Sequence, residues 1–198
     1  MRLKSHWFKP GKEKTPQELA GAAAFSIWRI AVQAIKNLRK ADFEVAVGEQ
    51  YFAYLYEFLN YLVQIADRQA YLHLQGAARG TFTIALVNRV GEIVAENRSE
   101  LLGGEAAGHK ARFVDLFNHR ADDYAEFDYN EESGPDFGFL RYAACCVQEA
   151  ADERDQHWIT DQVMAIEGPE GAALVARAMR GLLELEPRRR AAGGTSGD

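Results

Sequence analysis

The chain is poor in cysteine and proline, and it has no long uninterrupted apolar run. Its two cysteines among 198 residues, Cys145 and Cys146, are too few to staple a secreted disulfide scaffold. Neighbouring positions on a helix point about 100° apart, so a bridge between these two would be strained. They are expected as small buried hydrophobes rather than a redox pair. Five prolines and seventeen glycines fall short of collagen-like or linker-dominated chains. The most apolar stretch, Leu19 to Leu38, is cut by Arg29, Gln33 and Lys36, which excludes a bilayer span. The basic first residues lead into no apolar core of a signal peptide, so no membrane association and a cytoplasmic location are expected.

Positive charge is also in deficit. A net charge of -6 lacks the footprint of a nucleic-acid binder, and no stretch resembles a strongly basic recognition helix. The basic residues gather at the ends: Arg2, Lys4, Lys9, Lys12 and Lys14 in an N-terminal arm (1–14), and Arg188, Arg189 and Arg190 opening a Gly-rich tail (187–198) expected to be disordered. Acids concentrate between Asp115 and Asp136, where Asp122, Asp123, Glu126, Asp128, Glu131 and Glu132 face Arg120 alone. Catalytic signatures are missing as well: there is no phosphate-binding glycine loop, no Cys-x-x-Cys, no His-Glu-x-x-His and no Gly-x-Ser-x-Gly. These absences point away from an enzyme.

What is present is helical periodicity. With 47% hydrophobic and 26% charged residues, the composition suits one globular domain, and 15–186 reads as an all-α, bundle-like domain of six to seven helices. Thr15-Pro16-Gln17-Glu18 spells an N-cap, a first-turn proline and a capping-box glutamate, opening a helix to about Lys40. A second helix is expected from about Asp42 to Leu74 with a disturbance at Gly48, and a third from Thr81 to a stop at Gly103-Gly104. Others are expected over 107–129, 136–153 and 155–167, the fourth and fifth separated by an acidic turn, and a last one from Gly168-Pro169 to before Pro187.

The first two helices stand out. Their apolar residues span arcs of roughly 220°, wider than a helix lying on one face of a core requires. On the second, Glu57, Asn60, Gln64 and Asp67 form a narrow polar stripe. Either both helices sit centrally or one presents its surplus to a second subunit. Self-association as a homo-oligomer, or binding of a protein partner, is therefore the leading expectation.

Two alternatives rest on particular side chains. Asp115, His119, Asp122 and Glu126 recur at one-turn spacing and could hold Fe, Mn or Zn as a cofactor in a ferritin-like protein, possibly an oxidoreductase. Phe113, Phe117 and Tyr124 project from the opposite side, however, which turns the acidic stripe toward water, and no Glu-x-x-His supports it. The other alternative is a pocket for a hydrophobic or aromatic ligand lined by Trp28, Tyr54 and Tyr61, with Asp67-Arg68 near His73 available to anchor a carboxylate or phosphate. A further acidic group, Glu149, Asp152, Glu153, Asp155, His157 and Asp161, straddles a helix junction and reads most simply as serving the helix dipole.

Overall fold

The computed structural model describes residues 14–183, so most of the basic arm and all of the C-terminal tail lie outside the described residues. The fold is all-α. Helix α1 (Pro16–Lys40) begins as its sequence dictates. Glu18 N donates to Thr15 Oγ1 (3.2 Å) and Thr15 N donates to Glu18 Oε2 (2.9 Å), closing the capping box. Helix α2 (Glu49–His73) starts later than expected. Asp42 at φ 67° turns the chain after α1, and Gly48 at φ 108° bars helical continuation, leaving 41–48 as a connector. Helix α3 (Ala77–Leu102) stops where Gly103 (φ 78°) and Gly104 (φ 85°) enter the left-handed region.

Helix α4 (Ala106–Ala125) is shorter than its periodicity suggested. The chain leaves it for a minimal antiparallel hairpin, β1 (Tyr129–Asn130) with β2 (Gly134–Pro135), in which Tyr129 faces Pro135. Helix α5 (Phe137–Glu149) is capped by Asp136, whose Oδ1 accepts from Phe139 N at 2.7 Å. Helix α6 (Gln156–Gln162) runs through a π turn (Val163–Glu167) into α7 (Gly168–Leu182). Pro169 has no N–H for an α-type bond, and the wider turn takes up the mismatch.

Helix α2 is the axis of the molecule. It is surrounded by α1, α3, α4, α5 and α7, while α3 lies between α1 and α4. Its wide apolar arc is thereby enclosed within one copy of the chain. Aromatic rings tie α2 to α4 and α5: Phe139 lies 5.9 Å from Tyr61 and 4.8 Å from Tyr124, and Tyr142 meets Tyr124 edge-on at 4.8 Å. Cys145 and Cys146 are unbridged; Cys146 is buried, and burial pushes its thiol up to about 12, which makes it inert at neutral pH.

Two glycines should respond oppositely to alanine. A Cβ on Gly168 would meet the Val163 carbonyl at 2.8 Å and Leu140 Cδ2 at 2.9 Å, where Tyr61 Oη also donates to the Gly168 carbonyl (2.8 Å). Gly168→Ala is expected to lower stability by about 1–3 kcal/mol, the usual range for overpacking. A Cβ on Gly80, inside α3, meets nothing within 4 Å, so Gly80→Ala should raise stability by about 0.5 kcal/mol through helix propensity. Urea unfolding of the two variants checks both signs.

Candidate functional site

The polar stripe of α2 faces inward. Glu57, Asn60, Gln64 and Asp67 are all buried, beneath α3 and α4. Buried polar groups require partners, and neighbouring helices supply some of them. Arg120 of α4 reaches Glu57 Oε1 (2.9 Å) and Glu149 Oε2 of α5 (2.7 Å), and its guanidinium lies 5.8 Å from the centre of the Tyr142 ring. Arg79 of α3 grips Asp67 with two nitrogens, at 3.2 and 2.6 Å, and Thr83 Oγ1 donates to the same carboxylate. Arg68 donates from Nη2 to the carbonyls of Tyr124 (2.8 Å) and Phe127 (3.2 Å), holding the C-terminal end of α4.

Between these ties the stripe is under-satisfied. Asn60 is 0% exposed and neither end of its carboxamide has a hydrogen-bond partner; Gln64 is 6% exposed with Nε2 unpartnered, and Glu57 Oε2 is likewise unmatched. Each such group carries an uncompensated desolvation cost. Helix α4 covers them lightly, burying only Phe113, Phe117 and Tyr124 along its length.

Two clefts open along this seam. The larger, about 470 Å³, is lined by Gln64, Asp67 and Arg68 of α2, by Arg79, Gly80, Thr83 and Ile84 of α3, and by Phe117, Ala121 and Ala125 of α4. Small residues on the facing helices, Gly80 against Ala121 and Ala125, leave the space. The second, about 360 Å³, is lined by Tyr56 and Glu57 of α2, Arg112 and Leu116 of α4, and Cys146 and Glu149 of α5. Burial pushes the Glu57 carboxyl above its ordinary range, while Arg120 opposes that shift.

A second buried acid lies across the molecule. Glu167, in the π turn, accepts from Asn37 Nδ2 (3.2 Å) and Gln162 Nε2 (3.3 Å) and has no cationic partner among the described residues. Burial raises its carboxyl above the ordinary value of 4.5, against those two amide donors. A folded-state value above the unfolded one stabilises the fold below the unfolded value, and that contribution is lost as pH rises through the folded value. Glu167→Gln should therefore gain stability over the parent protein at pH 7–8 and show little difference near pH 4, as read from urea midpoints across that range. Glu49 and Glu92, lowered chiefly by hydrogen bonds from Arg98 and Arg89, act in the opposite sense and are lost in acid for both proteins.

The residues singled out from sequence are scattered. Asp115, His119, Asp122 and Glu126 are exposed on the outer side of α4, and no group of three or more His, Cys, Asp or Glu among the described residues is arranged to hold a metal ion. Trp28, Tyr54, Tyr61 and Arg68 do not share a pocket. Tyr54 and Tyr61 are enclosed in the core, Trp28 lines a groove on the outside of α1, and Arg68 lines the α2–α3–α4 cleft. Asp67 pairs with Arg79 rather than with its neighbour Arg68, and His73 meets Glu131 at 3.1 Å. In the acidic group at the α5–α6 junction, Asp155 is buried and accepts from Glu44 N (2.5 Å), which pins the 41–48 connector.

No protein-family model matches the chain, and no curated protein and no solved structure matches it either. No helix among the described residues is long and apolar enough to cross a membrane.

Arg79, Thr83 and Arg120 were missed by sequence reasoning. A signal was available in the stripe itself: two neutral carboxamides, Asn60 and Gln64, stand where a solvated face would carry lysine or glutamate.

Proposed function

We propose that the protein binds a small molecule in the α2–α3–α4 cleft. The observation that carries this reading is Gln64, almost wholly buried with an unpartnered amide nitrogen, lining a cleft onto which Arg68, Arg79 and Thr83 also converge. Pockets that hold small ligands combine an apolar wall with a few placed polar groups, in volumes of about 300–1,000 Å³. The test is a fragment screen followed by NMR amide-shift mapping on the intact chain. Hits should perturb residues 64–68, 79–84 and 117–125, and Gly80→Leu, which fills the cleft from a position with open space, should abolish the shifts. Hits that map elsewhere, or persist in the filled variant, contradict the reading.

Self-association through α1 is a second reading, favoured by a separate observation. Phe25 is 61% exposed on the outer face of α1, one turn from half-buried Trp28, which lines a groove with Val32 and Leu174 of α7. Helix α2 adds nothing to this surface, because its apolar arc is covered internally. A stable dimer would bury about 1,000 Å² or more. Sedimentation should then show a dimer at micromolar concentration that Phe25→Glu dissociates; a monomer removes this reading.

A further inference from the structure

We infer that the ligand of the α2–α3–α4 cleft is an organic monocarboxylate with an apolar body; this rests on the binding reading above and specifies its chemistry. The charge in the cleft is the first reason. Arg68 and Arg79 face a single acid, Asp67, so one positive charge is left over and one anionic group balances it.

Donor geometry is the second. Arg79 engages Asp67 through Nε and Nη2, and Arg68 engages the α4 carbonyls through Nη2. Each guanidinium has five N–H donors, which leaves the Nη1 edge of both facing no protein acceptor in these bonds. A planar carboxylate suits a free guanidinium edge, and charge-assisted bonds of this type are about twice as strong as neutral ones. Gln64 lines the same cleft. Asp67 is held by Arg79 and Thr83 together, so it fixes the Arg79 fork and is itself screened from an entering anion.

The wall is the third reason. Phe117, Ala121 and Ala125 of α4, with Ile84 of α3, form an apolar side that offers a phosphate or sulfate ion nothing but favours an alkyl or aryl body.

The experiment titrates the full-length protein with phenylbutyrate and octanoate at up to millimolar concentration, each against its primary amide, and with inorganic phosphate, reading NMR amide shifts. The acids should bind about ten- to a hundredfold more tightly than their amides, with shifts at 64–68 and 117–125. Their binding should weaken as salt increases and disappear in Gly80→Leu, whose fold is verified by its spectrum. Equal binding of acid and amide in the cleft would overturn the carboxylate inference and leave the cleft reading standing. Phosphate binding as tightly as the acids would also overturn it, since the apolar body would then contribute nothing. No cleft shifts from any of these probes, with other fragments mapping there, removes the inference alone; a cleft silent to every fragment removes both.

Discussion

Arg120→Met should destabilise the protein by about 3–5 kcal/mol, the range for breaking a buried ion pair from one side. Arg120 and Glu57 are both nearly enclosed between α4 and α2, and the arginine also joins Glu149 and the Tyr142 hydroxyl. Removing it leaves the Glu57 carboxylate buried with no cation, and Oε2 of that group already has no partner. Burial pushes the Glu57 carboxyl up, so in the variant it should take up a proton closer to neutrality and recover some stability in mild acid. The companion variant separates pair energy from desolvation. Glu57→Met with Arg120→Met replaces both charges by apolar groups of similar length and should return to within about 1 kcal/mol of the parent, because buried pairs are often no better than well-packed hydrophobes. Denaturant unfolding of the two singles and the double measures both. If Arg120→Met costs under about 1 kcal/mol, the pair is effectively hydrated and α4 is not seated on α2 as described.

Phe139→Ala should be comparably damaging, at about 3–5 kcal/mol. Phe139 is fully buried at the N-terminal end of α5, and its ring contacts Tyr61 of α2, Tyr124 of α4 and Phe127 of the following turn, at centroid distances of 4.8 to 6.5 Å. Deleting it opens a cavity where three elements meet, and ring geometry adds to the area lost. Phe137, two residues earlier, is exposed, so Phe137→Ala should change stability by less than about 0.5 kcal/mol. Calorimetric or denaturant comparison of the two tests the assignment of the buried face of α5, since a register error would exchange their effects.

The fold was legible where local chemistry decides it. The Thr15-Pro16-Glu18 cap opens α1 and the Gly103-Gly104 pair ends α3, as their residue types demand. Less legible were the features set by partners far along the chain. The apolar arc of α2 allowed either a central or an interfacial helix, and only the packing of five neighbours around it decides for the centre. Its polar stripe was then bound to be internal, with Arg79 and Arg120 answering Asp67 and Glu57 across 12 and 63 residues. Such pairing leaves no mark in local periodicity. On α4 the wheel did carry the answer: Phe113, Phe117 and Tyr124 are buried, and Asp115, His119, Asp122 and Glu126 face outward. Arg68 was expected in a pocket with Trp28, Tyr54 and Tyr61, and it lines a cleft that none of those three reaches. Tyr54 and Tyr61 are enclosed in the core, Tyr61 against Phe139 of α5 and Gly168 of α7, whereas the open space lies where α3 and α4 carry glycine and alanine.

The proposed role of the α2 polar face is a binding surface rather than a packing defect. The most direct measurement is a crystal structure of the protein soaked in phenylbutyrate. The predicted result is a carboxylate between the Nη1 edges of Arg68 and Arg79, with the aromatic ring against Phe117 and Ala121. A cleft closed by its own side chains, with Gln64 and Asn60 bonded to each other or to α4 and no ligand between them, would contradict it.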